Sequence, residues 1–237
     1  MKLDKLFKGL KQIANGDYVL EGDLIVEDNL EIDLDDRLVV SGKIVVKKSI
    51  IAKLGIKAGW GIKAGWGIKA GEGIEAGCGI KAGDGIKAGW GIKAGEGIEA
   101  GCGIKAGEGI KAGDGIKAGD GIKAGEGIEA GLGIKAGWGI EAGCGIKAGD
   151  GIKAGDGIKA GEGIEAKTFI HSERRIFAGI SVYHTNANCK KTIKCAELRK
   201  GEICFGDLII EEPVVEMTIA EIEEKLGIKN LKIKEQP

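Results

Sequence analysis

The side chains able to do chemistry are six cysteines, two histidines and a long series of carboxylates set between glycines. Cys78, Cys102 and Cys144 occupy one recurring slot, and Cys189, Cys195 and Cys204 follow at wider spacing with no C-x-x-C pair among them. A structural zinc site wants four ligands in closely spaced pairs, so these thiols read as small, semi-buried fillers and no metal is expected. His171 and His184 flank Arg174 and Arg175 in the most chemically varied stretch of the chain. Either histidine could move a proton, but an isolated one is more often a packed or surface residue, so no catalytic residue is assigned. These four side chains are instead candidates for an interaction.

The carboxylates lead back to the element that must hold them. From Ile56 to Ile164, nineteen isoleucines recur every six residues without a phase slip, each heading the unit Ile, Lys or Glu, Ala, Gly, variable, Gly. Six is a multiple of two and not of 3.6, so the isoleucine returns to one face of a strand but would spiral around a helix. Glycines inside a helix would also cost about 1 kcal/mol each relative to Ala. Ile and Ala, two apart, point inward together, and the Lys or Glu between them points outward.

The fifth slot carries ten carboxylates among its eighteen occupants from Trp60 to Glu162, which an Ile/Ala core could not bury, so it must face water. Glycine on both sides suits a corner, where φ can be positive and neighbouring backbone comes close. Each unit is then one short strand and one corner. In a coil of eighteen residues Asp84, Asp120 and Asp156 share a column, and Glu72, Glu108, Glu126 and Glu162 share another, whereas a twelve-residue coil would mix them. That sorting favours three units per coil, against which stand near-repeats of residues 65–88 as 89–112 and of 113–131 as 149–166, shifts that are multiples of twelve and fit two units per coil. The expected fold is all-β: a single-chain parallel β-solenoid of six-residue repeats, three-sided, about 18 residues per coil, with short terminal helices.

This unit, G-I-[KE]-A-G-x, resembles the hexapeptide-repeat β-solenoids, the prism-shaped left-handed β-helices known from acyltransferases, over about half the chain. That family places a small residue two positions before the aliphatic one; here Ala comes two positions after, which leaves the handedness open. Its enzymes use a catalytic His and a loop that leaves the prism, but residues 54–166 contain no His and no excursion. The acyltransferase activity that the resemblance implies is thus a minor alternative, and the chain is expected not to be an enzyme. Glycine-bounded acids are also similar to calcium-binding nonapeptide rolls, but those carry an Asp in every turn and here Trp, Cys or Leu often replaces it. No cofactor is expected.

Outside the repeat, residues 1–53 read as an N-terminal helix, from Leu3, Leu6, Phe7, Leu10 and Ile13, followed by strands over 18–52 that form a β cap. Residues 167–213 read as a C-terminal β cap. Residues 214–237 read as a short helix, with Thr218 and Glu221 as a capping box and Gly227 as its stop, followed by a tail.

The 35 Lys and Arg nearly cancel the 36 Asp and Glu, which disfavours bulk attraction to nucleic acid or an anionic membrane. With no apolar export core at the start and no apolar run of spanning length, a cytoplasmic location is expected. Like charges stacked about 4.8 Å apart cost about 0.9 kcal/mol per neighbour in water, a cost that corner carboxylates are expected to offset along the lysine columns. Trp60, Trp66, Trp90 and Trp138, in outward corners, read either as rings stacked over neighbouring corner glycines to shield backbone or as interaction candidates, since exposed apolar clusters tend to mark interfaces. The functional expectation is a non-catalytic structural or protein-interaction rod that binds a protein partner or self-associates, with bactofilin-like polymers as the nearest analogy by architecture. A phage or mobile-element protein that blocks a host protein is the alternative.

Overall fold

The computed structural model describes residues 1–180 and 191–211 and is a parallel β-solenoid of about 18 residues per coil. Each repeat unit supplies one three-residue strand, such as Ile62–Ala64, Ile68–Ala70 and Ile74–Ala76, and three successive strands make one coil. Every strand pairs in parallel with the strand three units on, so Ile62 lies opposite Ile80, Ile68 opposite Ile86 and Ile74 opposite Ile92. The expected three-sided coil is therefore the observed one. We call the faces that carry Ile62, Ile68 and Ile74 the first, second and third.

The alternation sets the core. Each repeat isoleucine is at most 1% exposed, its alanine partner is also buried, and the Lys or Glu between them projects from the face. Isoleucine stacks on isoleucine and alanine on alanine through the repeat, so the interior is a column of branched side chains with small ones filling between. Burying a side chain of this size is worth roughly 1.5–3 kcal/mol relative to leaving it in water. A single coil has no neighbour to bury against, so stability comes from stacking.

The corners join the ladder. The Ile80 N–H donates to the Gly97 carbonyl one coil ahead at 3.0 Å, and the Cys78 N–H donates to the Trp60 carbonyl one coil back at 3.0 Å. The expected positive φ is not what the corner glycines provide: among the described residues it occurs at Gly9, Gly16, Gly22, Gly179, Gly201 and Gly206, all outside the repeat. What the corner needs is space. A Cβ on Gly77 would stand 2.0 Å from the Gly59 carbonyl oxygen below, whereas one on Gly79 would be 3.3 Å from the nearest oxygen. The two flanking glycines thus differ in purpose.

Coiling begins before the repeat. Tyr18–Leu20, Leu24–Val26 and Leu30–Ile32 pair with strands 20 residues on, Leu24 opposite Ile44, and the longer corner buries Leu34. The N-terminal helix expected from Leu3, Leu6, Phe7, Leu10 and Ile13 is absent. Lys2–Leu3 is a strand parallel to Leu30–Ile32, and Leu10–Gln12 is antiparallel to Tyr18–Leu20. The reason is the open edge of the first coil: the Glu31 and Asp33 N–H groups need acceptors and find them in the Met1 and Leu3 carbonyls, both at 2.9 Å, which a helix could not offer. Leu3 enters the core while Leu6 is 92% exposed, so no helical apolar stripe exists.

At the other end, Phe169–Ala178 runs across two faces, with Ile170 opposite Ile152 and Ile176 opposite Ile158. Thr192–Cys195 continues the third face, and Glu197–Phe205 and Asp207–Ile210 add a final layer. The helix expected near Thr218, together with His184 and Cys189, lies outside the described residues. Among the described residues no helix is long and apolar enough to cross a membrane.

Candidate interaction surface

The prism presents three ridges, each a column of corner residues one coil apart. The first ridge, between the first and second faces, carries Trp66, Asp84, Cys102, Asp120, Trp138 and Asp156. The second, between the second and third faces, carries Glu72, Trp90, Glu108, Glu126, Cys144 and Glu162. The third carries Trp60, Cys78, Glu96, Asp114, Leu132 and Asp150. The expected Asp and Glu columns are present, and Trp66 and Trp138 share a ridge while Trp60 and Trp90 stand on the other two.

All four tryptophans are more than half exposed, as is Leu132. Trp66 has the Lys48 ammonium 5.8 Å from its ring centre. No one face gathers them: Trp90 borders the groove over the third face and Trp60 the groove over the first.

Between the ridges lie the floors. On the third face Lys and Glu alternate closely enough to pair along the axis: Lys57 with Glu75 at 3.2 Å, Lys111 with Glu129 at 3.0 Å, Lys147 with Glu165 at 3.6 Å. On the first face Glu99 bridges Lys81 and Lys117, and on the second Glu141 bridges Lys123 and Lys159. The hydrogen bonds from Lys81 and Lys123 draw the Glu99 and Glu141 carboxyls below their ordinary range. Relief of lysine stacking therefore comes from glutamates within the floor, not from the corner acids expected to supply it. The second floor is left with Lys69, Lys87 and Lys105 consecutive in register and in no ion pair among the described residues. This floor is an open trough of about 1400 Å³, which continues to Arg175 and Lys200.

The sequence-derived candidates near the C-terminal end sit in a polar network. His171 Nε2 is 2.8 Å from Glu173 Oε1, and the Lys200 ammonium donates to the same carboxylate. Lys200 first and His171 second pull the Glu173 carboxyl down to about 2. Arg174 pairs with Asp156 at 3.2 Å, Arg175 lies 3.9 Å from Glu202, and Arg199 stacks 3.8 Å over the Phe169 ring. The structure therefore does not gather these candidates into one site: His171 lies on the first face opposite Lys153, and His171, Arg174 and Arg175 are each engaged with a different acid. His184 is outside the described residues. Ser172, beside His171, is buried and donates to the Asp156 carbonyl at 2.6 Å, which makes it part of the frame.

Cys102 and Cys204 are exposed and Cys78 is partly so, while Cys195 is fully buried and its thiol pKa is pushed up by that burial. Among the described residues no group of three His, Cys, Asp or Glu side chains converges as a metal set would. Sequence reasoning missed the run of three lysines on the second floor, unpaired among the described residues, because which lysines align depends on the coil length; with eighteen residues per coil it could have been read from the second position of every third unit. Comparison of the chain with protein-family models, curated proteins and solved structures found no match, so the surface has to be read from its own chemistry.

Proposed function

We propose that this chain is a non-catalytic rod that presents ordered columns of side chains to proteins, including further copies of itself. The observation that carries the proposal is the ridge system. Corner residues are held by backbone bonds from coil to coil and differ in side chain from level to level, while the core beneath them does not vary. A scaffold of that kind specifies a surface at about 4.8 Å intervals without altering its fold. Exposed tryptophans spread along the ridges supply the aromatic contact area that interfaces favour. The resemblance to hexapeptide-repeat and bactofilin-like solenoids supports the same reading by architecture.

The test is self-association and partner capture by the full chain. Sedimentation velocity and light scattering across a concentration series should show species larger than the monomer, or affinity purification should recover a defined protein. Replacing Trp60, Trp66, Trp90 and Trp138 by Asp should weaken whichever is found. A chain that stays monomeric, captures no protein and turns over a small molecule would overturn the proposal.

A further inference from the structure

The second position and the fifth position of the repeat unit are not independent. Of the fourteen units with Lys in the second position, ten carry Asp or Glu in the fifth and the other four carry Trp. The five units with Glu in the second position are followed by Cys78, Cys102, Leu132, Cys144 and Thr168, never by an acid. The chain thus matches floor charge to ridge charge level by level. Within the rod the match produces no ion pair: among the described residues every pair inside the repeat joins two floor residues one coil apart.

The second face shows what would use it. Its floor reads Lys69, Lys87, Lys105, Lys123, Glu141, Lys159, and the ridge beside it reads Glu72, Trp90, Glu108, Glu126, Cys144, Glu162. We propose that two copies pack side by side, parallel, about a two-fold axis along the rods, each laying its second ridge into the second-face trough of the other. This deepens the self-associating part of the function proposed above and rests on it. The two-fold places equal levels opposite, so Glu72 meets Lys69, Glu108 meets Lys105, Glu126 meets Lys123 and Glu162 meets Lys159, each twice. Trp90 lies over the Lys87 ammonium, a cation–π contact.

The remaining level fixes the register. Glu141 meets Cys144, the one ridge position on this side that carries neither an acid nor a ring. Sliding the partner by one coil in either direction would put Glu126 or Glu162 on Glu141 and a neutral thiol on a lysine. Both rods share the same spacing between coils, so the match does not drift along the contact, which spans about 24 Å from Lys69 to Lys159 at about 4.8 Å per coil. A bound copy would also supply the counter-charge that Lys69, Lys87 and Lys105 lack in the single chain.

The test is a charge swap in the full chain under reducing conditions, with sedimentation velocity as the readout and circular dichroism to verify the fold. The wild-type protein should dimerise at low salt and shift toward monomer near 1 M salt, where charges are screened within about 3 Å. A floor variant, Lys69→Glu with Lys105→Glu, and a ridge variant, Glu72→Lys with Glu108→Lys, should each weaken dimerisation at least tenfold. Mixed in equal amounts they should form a heterodimer, since each floor then faces a ridge of opposite charge. Wild-type self-association that neither variant changes would overturn this interface and leave the rod reading standing. A wild-type monomer at every concentration would overturn the interface and self-association together. A monomer retained on heparin through Lys69 and Lys105 would assign the trough to a polyanion and equally overturn the pairing.

Discussion

Gly95 passes so close over Gly77 that a Cβ on it would stand 1.9 Å from the Gly77 carbonyl oxygen. The contact recurs coil after coil at the glycine before the corner residue, and it is what lets the corner N–H groups reach the carbonyls below. The glycine after the corner residue has looser surroundings: a Cβ on Gly97 would lie 3.3 Å from the Gly115 oxygen. Two glycines that look equivalent in the repeat therefore carry unequal constraint.

Gly95→Ala should cost about 2–4 kcal/mol, because backbone must move to admit the methyl, while Gly97→Ala should cost less than about 1 kcal/mol. Thermal unfolding followed by circular dichroism measures both. Equal effects at the two positions would show that the close approach at Gly95 is not what the corner requires.

The axial ion pairs predict a salt-dependent cost for charge reversal. Glu99 sits between Lys81 at 2.7 Å and Lys117 at 3.4 Å, so Glu99→Lys exchanges two attractions for two repulsions. The loss should be on the order of 1–3 kcal/mol at low ionic strength, since each contact is exposed and worth under about 1 kcal/mol. It should shrink in concentrated salt as screening takes hold. A penalty unchanged by salt would point to lost packing of the lysine stems instead of charge.

At the first coil the buried Asp17 carboxylate accepts from Arg37 Nη2 at 2.6 Å and Nε at 3.2 Å, and from Asn15 Nδ2 at 3.0 Å. The Arg37 hydrogen bond, aided by Asn15, holds the Asp17 pKa below its ordinary value. A carboxyl depressed in the folded state stabilises the fold above its unfolded pKa near 3.9, and that contribution fades as pH falls through the lower, folded value. Asp17→Asn should lower stability by about 1–2 kcal/mol at neutral pH and flatten the acid limb of the stability curve below about pH 4. A variant with an unchanged acid limb would exclude this pair as its source.

Much of this architecture is legible in the chain. The phase of Ile56 to Ile164 implies strands, the Ile and Ala burial follows from alternation, and the separate Asp and Glu columns point to three units per coil. The N-terminal stretch was misleading for a physical reason. Leu3, Leu6, Phe7, Leu10 and Ile13 have helical spacing, but the first coil exposes the N–H groups of Glu31 and Asp33, and satisfying those outweighs a local helix preference. Tertiary demand of that kind is invisible to a window of sequence. The Glu173 network was likewise hidden, because Lys200 reaches Glu173 only when Glu197–Phe205 pairs with Phe169–Ala178.

That network yields a prediction separable from stability. Glu173 is exposed, yet its carboxyl is held at about 2 by Lys200 and then His171. Carboxyl carbon chemical shifts, followed by NMR across an acid titration, should show Glu173 titrating at about 2, well below the reference glutamate value of about 4.3. Lys200→Met removes the larger cause and should return Glu173 most of the way toward that range. His171→Gln removes the smaller one and should move it less. The order of the two effects is the informative part: if His171→Gln moved Glu173 further than Lys200→Met, the imidazole would be the dominant partner, and the ammonium contact from the final coil would be incidental to the acid it touches.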